Sequence, residues 1–162
     1  TGLLGLFRYY VRGKVKAMIR EGARLRFAGL LHELPEDIQK MLSWAERETS
    51  SGNDIDVVVC LNYGGRQELL HAINRMLEKG KTPPITERDI YENLFLPDLP
   101  DPDLVIRTSG EYRLSNFWLW QTSYSELFFT EKLWPDFCAA DFHSAISDYR
   151  RRDRRYGGTG TS

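Results

Sequence analysis

Apolar residues recur along this chain in two rhythms. Residues 1–22, TGLLGLFRYYVRGKVKAMIREG, space Leu3, Leu4, Leu6, Phe7, Tyr10, Val11, Val15, Met18 and Ile19 as one stripe of an amphipathic helix, which plain core packing would bury. A short strand is predicted over Arg24–Ala28, ahead of Gly29 and a turn at His32-Glu33-Leu34-Pro35. His32 reads as a surface residue of that connection. Pro35-Glu36-Asp37 then opens a helix with proline and acids in its first turn, and Ile38, Met41, Leu42 and Ala45 form its apolar face. Ile55–Leu61 is a near-continuous β-branched run, the pattern of a strand buried on both faces of a parallel sheet. A helix follows from about Gln67 to Lys79, and Thr86-x-x-Asp89 caps a short one through about Leu94. Further on, Leu104–Ile106 and Glu126–Phe129 read as strands, and Phe117–Tyr124 and Ala139–Tyr156 as helices.

Strands alternating with helices specify an α/β fold, a mostly parallel sheet with helices on both faces. The length of 162 residues predicts one domain over 1–158, followed by a disordered tail at 159–162. The first helix starts without a cap or a methionine, as though the chain were cut just upstream. With 41% hydrophobic and 28% charged residues the composition is that of an ordinary folded protein. A net charge of −1 gives no global electrostatic case for nucleic acid, so phosphate recognition must come from local arrangement. Cys60 and Cys138 have no metal-ligand spacing, and Cys60 in its apolar run fits a reduced cytoplasmic core residue. No stretch reaches the roughly 20 apolar residues of a membrane span, and neither a signal peptide nor an internal repeat is visible.

The candidate chemistry lies behind the strand at Leu104–Ile106. Arg107-Thr108-Ser109-Gly110-Glu111-Tyr112-Arg113-Leu114-Ser115-Asn116 is a polar loop at a strand's carboxyl end, where α/β sheets place ligands. Two permanently charged guanidinium forks, Arg107 and Arg113, match phosphate oxygens, and Ser109, Ser115 and backbone N–H groups add donors. Ser115-Asn116 reads as a helix start whose positive end could add to an anion site. The alternative is a surface loop with two solvated arginines. A second strand–glycine–helix junction, Asn62-Tyr63-Gly64-Gly65-Arg66, is equally the layout of a substrate loop or of a plain tight turn.

The segment RTSGEYRLSNFWLWQTSYSELFF, residues 107–129, continuing into Leu133-Trp134-Pro135-Asp136-Phe137, resembles the last signature of the cis-prenyltransferases, the family that includes undecaprenyl diphosphate synthase. Leu61-Asn62-Tyr63-Gly64-Gly65-Arg66 resembles a second signature and Arg155-Tyr156-Gly157 the Arg-x-Gly tail, so the resemblance runs from about Leu3 to Gly158. It implies a transferase that condenses isopentenyl diphosphate onto an allylic, farnesyl-like diphosphate with Z geometry. Arg107, Arg113 and Ser115 would bind the isopentenyl diphosphate, and Asn62, Gly64, Arg66, Arg155 and Gly157 would support the site. Glu126, in itself an ordinary solvated charge, would be a Mg²⁺ ligand, a hard oxygen donor suited to a diphosphate-bound ion. The tail would reach the site across a homodimer interface, and the first helix would flank a hydrophobic product tunnel. A cytoplasmic enzyme in peripheral contact with its membrane lipid product is the setting the family implies.

One departure qualifies this expectation. The family's Met-Asp-Gly-Asn-x-Arg loop, with the aspartate that organises magnesium, and its Phe-Ser-x-Glu-Asn-Trp segment do not occur in these 162 residues. The match is to the C-terminal two thirds of the enzyme, with the N-terminal strands and helices missing, so a fragment without a catalytic residue of its own is expected. A non-catalytic partner subunit and a generic phosphate-binding α/β module are the alternatives. Retention of Arg107, Arg113, Ser115 and Glu126 together favours the enzyme.

Overall fold

The segments ARLRFA and IDVVVC become β1 (Ala23–Ala28) and β2 (Ile55–Cys60), which lie parallel with Ala23 beside Ile55 and Ala28 beside Cys60. A parallel pair needs a crossover. Here α2 (Glu36–Glu48) supplies it, and its apolar face of Ile38, Met41, Leu42 and Ala45 is buried together with Leu25 and Phe27 of β1. The helix α1 (Gly2–Arg20) adds Val11 and Val15 to the same core. The free edge of β1 is closed by side chains of the crossover. Leu25 N–H donates to Thr49 Oγ1 at 3.0 Å, and Phe27 N–H donates to Glu46 Oε1 at 3.0 Å. Buried backbone donors are thereby paired without a third strand.

The computed structural model describes Gly2–Asp153. It divides the chain into two compact units, Thr1–Pro97 and Asp98–Ser162. The first unit is completed by α3 (Gly65–Glu78) and the short α4 (Glu87–Tyr91). The predicted cap of α4 is present in full, with Thr86 N–H on Asp89 Oδ2 at 2.8 Å and Asp89 N–H on Thr86 Oγ1 at 3.3 Å. Hydrogen bonds from Lys81 and Thr86 lower the Asp89 carboxyl to a pKa of about 2. Expected to be enclosed on both faces, β2 is instead open: Ile55 is 58% exposed and Val57–Cys60 are half-buried. Among the described residues β2 pairs only with β1, which explains its exposure.

In the second unit, β3 (Leu104–Arg107) and β4 (Glu126–Phe129) are parallel, with Leu104 beside Glu126 and Arg107 beside Phe129. The helix α5 (Ala139–Arg151) starts at Cys138, where Asp141 Oδ2 accepts from the Cys138 N–H at 2.9 Å. The helix predicted over Phe117–Tyr124 is not formed. Ser115, Asn116 and Trp118 have φ of 49°, 63° and 44°, in the left-handed region that a right-handed helix cannot incorporate. Isolated turns replace it, such as Thr122 N–H on the Trp118 carbonyl at 2.9 Å. Among the described residues neither Cys60 nor Cys138 is in a disulfide, and no described helix is long and apolar enough to cross a membrane. The tail at 159–162, with Arg155 and Gly157, lies outside the described residues.

Candidate functional site

The arginine loop leaves β3 with the strand ladder still intact. Thr130 N–H donates to the Arg107 carbonyl at 2.9 Å, Gly110 N–H to the Thr130 carbonyl at 2.9 Å, and Ser109 N–H to the Lys132 carbonyl at 2.8 Å. The backbone turns there through Ser109 and Gly110, at φ 72° and 66°. Arg107 is half-buried, yet its guanidinium makes no hydrogen bond or ion pair with a described residue. Arg113 is exposed and pairs with Glu111 on the same loop. Ser115 is exposed at a left-handed position, so the helix N-terminus expected at Ser115-Asn116 does not exist and contributes no dipole to the loop.

Glu126 stands elsewhere. In the parallel register it faces Leu104, at the opposite end of β3 from Arg107, a separation of three strand positions or about 10 Å along the axis. Its carboxylate accepts from Arg152 Nη1 at 2.7 Å, and the same guanidinium binds Asp148 Oδ2 through Nε at 3.0 Å and Nη2 at 2.6 Å. Hydrogen bonds to Glu126 and Asp148 raise the Arg152 pKa further. The structure therefore brings Arg107, Arg113 and Ser115 onto one loop and places Glu126 at the far end of the strand pair. Among the described residues no three His, Cys, Asp or Glu side chains group to hold a metal ion.

The second candidate loop lies in the first unit. Asn62, at φ 47°, donates through Nδ2 to the Leu30 carbonyl at 3.2 Å and to Glu33 Oε2 at 2.7 Å. Gly64 and Gly65 are buried at the start of α3, and Arg66 is exposed. The loop is braced from below by Glu68, 3% exposed, whose carboxylate accepts from Tyr63 Oη at 2.5 Å and from Phe95 N–H at 3.1 Å. His71 packs 4.7 Å from Phe95, and burial, with Arg75 next in effect, lowers its pKa.

Backbone conformation sets both loops apart. The non-glycine residues with positive φ among the described residues are Asn62, Ser109, Ser115, Asn116 and Trp118, and every one lies in a stretch singled out from the sequence. Such conformations cost about 1 to 3 kcal/mol each and concentrate where a site needs them. Sequence reasoning missed Glu68 and Arg152. A buried carboxylate in a helix's first turn has no sequence mark, whereas the Asp148–Arg152 spacing of four on a predicted helix was a usable signal.

The Prenyltransf model of the undecaprenyl diphosphate synthase family matches residues 1–157. An isoprenyl transferase of Thermotoga maritima is 45% identical over 159 residues, taking in 96% of this chain and 68% of the relative. One from Fusobacterium nucleatum is 44% identical over 156 residues, taking in 96% and 67%. The lavandulyl diphosphate synthase of Lavandula x intermedia, solved in complex with dimethylallyl diphosphate, superposes with a TM-score of 0.89 at 34% identity, covering 96% of this chain and 70% of that one. With the family model spanning nearly the whole chain and close relatives sharing more than two fifths of its residues, the chain belongs to the undecaprenyl diphosphate synthase family of isoprenyl transferases.

Proposed function

We propose that this chain is the isopentenyl diphosphate-binding part of a prenyltransferase that extends an allylic, farnesyl-like diphosphate into a Z-polyprenyl diphosphate. The observation that carries the reading is Arg107, a half-buried guanidinium at the carboxyl end of a parallel strand with no described partner. A charge in that position wants a counterion, and a diphosphate is the group whose geometry it fits. Arg113 would exchange Glu111 for the second phosphate, and Ser115 would add a hydroxyl donor. Bound in this way, the isopentenyl unit is held by its anionic end while its double bond faces the allylic carbon. Magnesium, when bound, would offset charge on the departing diphosphate.

The absence of an Asp-Gly-Asn loop from these 162 residues supports a further part of the proposal: the chain alone binds but does not elongate. Radiolabelled isopentenyl diphosphate, farnesyl diphosphate and Mg²⁺ are expected to give no polyprenyl product with this chain, while isothermal titration still detects isopentenyl diphosphate binding. Robust product would overturn the fragment reading. Absence of binding would overturn the arginine reading.

A homodimer belongs to the same proposal. Leu133 and Trp134 are 57% and 72% exposed, and Trp134 stacks on Phe137 at 6.0 Å, an apolar patch of the kind that symmetric contacts cover. Light scattering reads the stoichiometry directly.

The geometry of Glu126 calls for its own test. If its role is to hold Arg152, Glu126→Gln and Arg152→Ala each lower stability by about 1 kcal/mol, a charged hydrogen bond discounted for partial exposure. The double variant then costs no more than either single change. Urea denaturation with and without millimolar Mg²⁺ checks this. Stabilisation of the unaltered chain by Mg²⁺ that disappears in Glu126→Gln alone would instead make Glu126 a metal ligand.

A further inference from the structure

We infer that Tyr112, packed on Phe129, forms an apolar wall that selects the five-carbon end of the diphosphate held by Arg107. The inference rests on the reading of Arg107 as a diphosphate-binding residue and concerns the part of the ligand that is not phosphate. In the parallel register Arg107 lies beside Phe129. Registered neighbours of a parallel pair present their side chains to the same face, on strands about 4.8 Å apart. The Arg107 side chain and the Phe129 ring therefore share one face at the carboxyl end of the strand pair. Tyr112 completes the group, its ring centroid 5.2 Å from that of Phe129 at an interplanar angle of 40°.

The backbone of the loop brings that ring back over β4. Ser109 and Gly110 turn at positive φ, and their N–H groups donate to the Lys132 and Thr130 carbonyls, so the loop is fastened to the segment that follows Phe129. Glu111 and Arg113, on either side of Tyr112 in sequence, pair with each other, while Tyr112 is directed onto the strand. Phe129 beneath it is half-buried, yet Tyr112 itself is 71% exposed. A ring that served only to fill a core would be covered, whereas this one is held in place by its neighbour and left open to a ligand. A guanidinium beside two aromatic rings suits an amphiphile with an anionic head and a short branched hydrocarbon. Complete burial of one CH₂ raises affinity by up to about fourfold, so four carbons lying on an open wall should add roughly tenfold. A bare phosphate would gain nothing from the rings, and this makes Tyr112 a specificity residue distinct from the arginines of the anion site.

Isothermal titration with isopentenyl diphosphate and with methyl diphosphate, which keeps both phosphates and has about four carbons fewer, separates the wall from the anion site. The unaltered chain is expected to prefer isopentenyl diphosphate roughly tenfold in Kd. Tyr112→Ala should cut that preference to about twofold by weakening isopentenyl diphosphate alone, with the Kd of methyl diphosphate unchanged. Tyr112→Phe should keep the preference, because the ring and not the hydroxyl is the surface. Leu77→Ala, at a position 61% exposed on α3 of the first unit, should alter neither Kd. Nuclear Overhauser contacts between the isopentenyl methyl protons and the Tyr112 ring are expected in the unaltered chain and require no variant to fold; their absence would overturn the inference. Equal loss of affinity for both ligands in Tyr112→Ala would show that the ring only shapes the loop, and would overturn the inference while the Arg107 reading stands. So would an unaltered chain that binds the two ligands alike. An unaltered chain that binds neither would overturn both.

Discussion

Arg107→Ala is expected to weaken isopentenyl diphosphate binding by about 2 to 4 kcal/mol, roughly 30- to 900-fold in Kd, the cost of losing a charged contact in a partly desolvated site. Arg113→Ala is expected to cost less, on the order of 1 to 2 kcal/mol, because Arg113 is exposed and must first give up Glu111. Arg107→Lys should fall between the unaltered chain and the alanine variant, since an ammonium keeps the charge and loses the two-pronged geometry. Folding should be unaffected: the contact that Arg107 makes to β4 is its backbone carbonyl, which any residue supplies to Thr130. Titration calorimetry on the three variants, with denaturation midpoints as a control, measures all of this. Unaltered Kd in both alanine variants would remove the loop from the proposal.

Most of the secondary structure was legible because local signals and tertiary demands agree. The β-branched run at Ile55 and the alternation in ARLRFA give their strands to within a residue, and Pro35 and Thr86 mark real helix starts. At Phe117–Tyr124 the two disagree. Apolar residues there fall at helical spacing, but Phe, Trp and Thr are modest helix formers, and left-handed residues at Ser115, Asn116 and Trp118 interrupt any nucleus. Nothing local announces that conformation, since Trp almost never adopts it. The position of Glu126 follows from topology. Both strands and their parallel direction were readable, and a parallel connection must carry the chain from the end of one strand back to the start of the next. The first residue of β4 therefore belongs at the other end from the last residue of β3, whatever their closeness in sequence. The arginine loop was legible as a candidate site because its residues are chemically unusual. Glu68 was not, because its importance lies in burial and in partners five and 27 residues away. Arg152 stands in a basic run, Arg150-Arg151-Arg152, where its spacing of four from Asp148 was the one usable mark.

Gly29→Ala should be among the most damaging single changes in the first unit, at about 3 kcal/mol or more. Gly29 has φ +132°, a region closed to residues with a side chain, and a Cβ there would lie 2.0 Å from the Leu61 carbonyl oxygen and 3.1 Å from that of Asn62. These atoms are backbone and cannot swing aside. Relief requires β1 and β2 to part where Leu61 N–H meets the Ala28 carbonyl at 2.9 Å and Leu30 N–H meets the Asn62 carbonyl at 3.1 Å. Each bond lost adds to a conformational strain of about 1 to 3 kcal/mol. The damage also has a direction. The Asn62 side chain is anchored to the Leu30 carbonyl, so the displaced segment is the candidate loop from Asn62 to Arg66. Gly80→Ala provides the comparison, because Gly80 also has positive φ, +74°, but nothing lies within 4 Å of its added Cβ. That variant carries the conformational cost without the collision, about 1 kcal/mol. Urea denaturation of both should separate them by at least roughly 2 kcal/mol, with faster amide exchange at Asn62–Gly65 in Gly29→Ala alone. Equal stability of the two variants would mean that β1 and the Asn62 loop can part freely, and that the close approach at Gly29 does not set the loop's position.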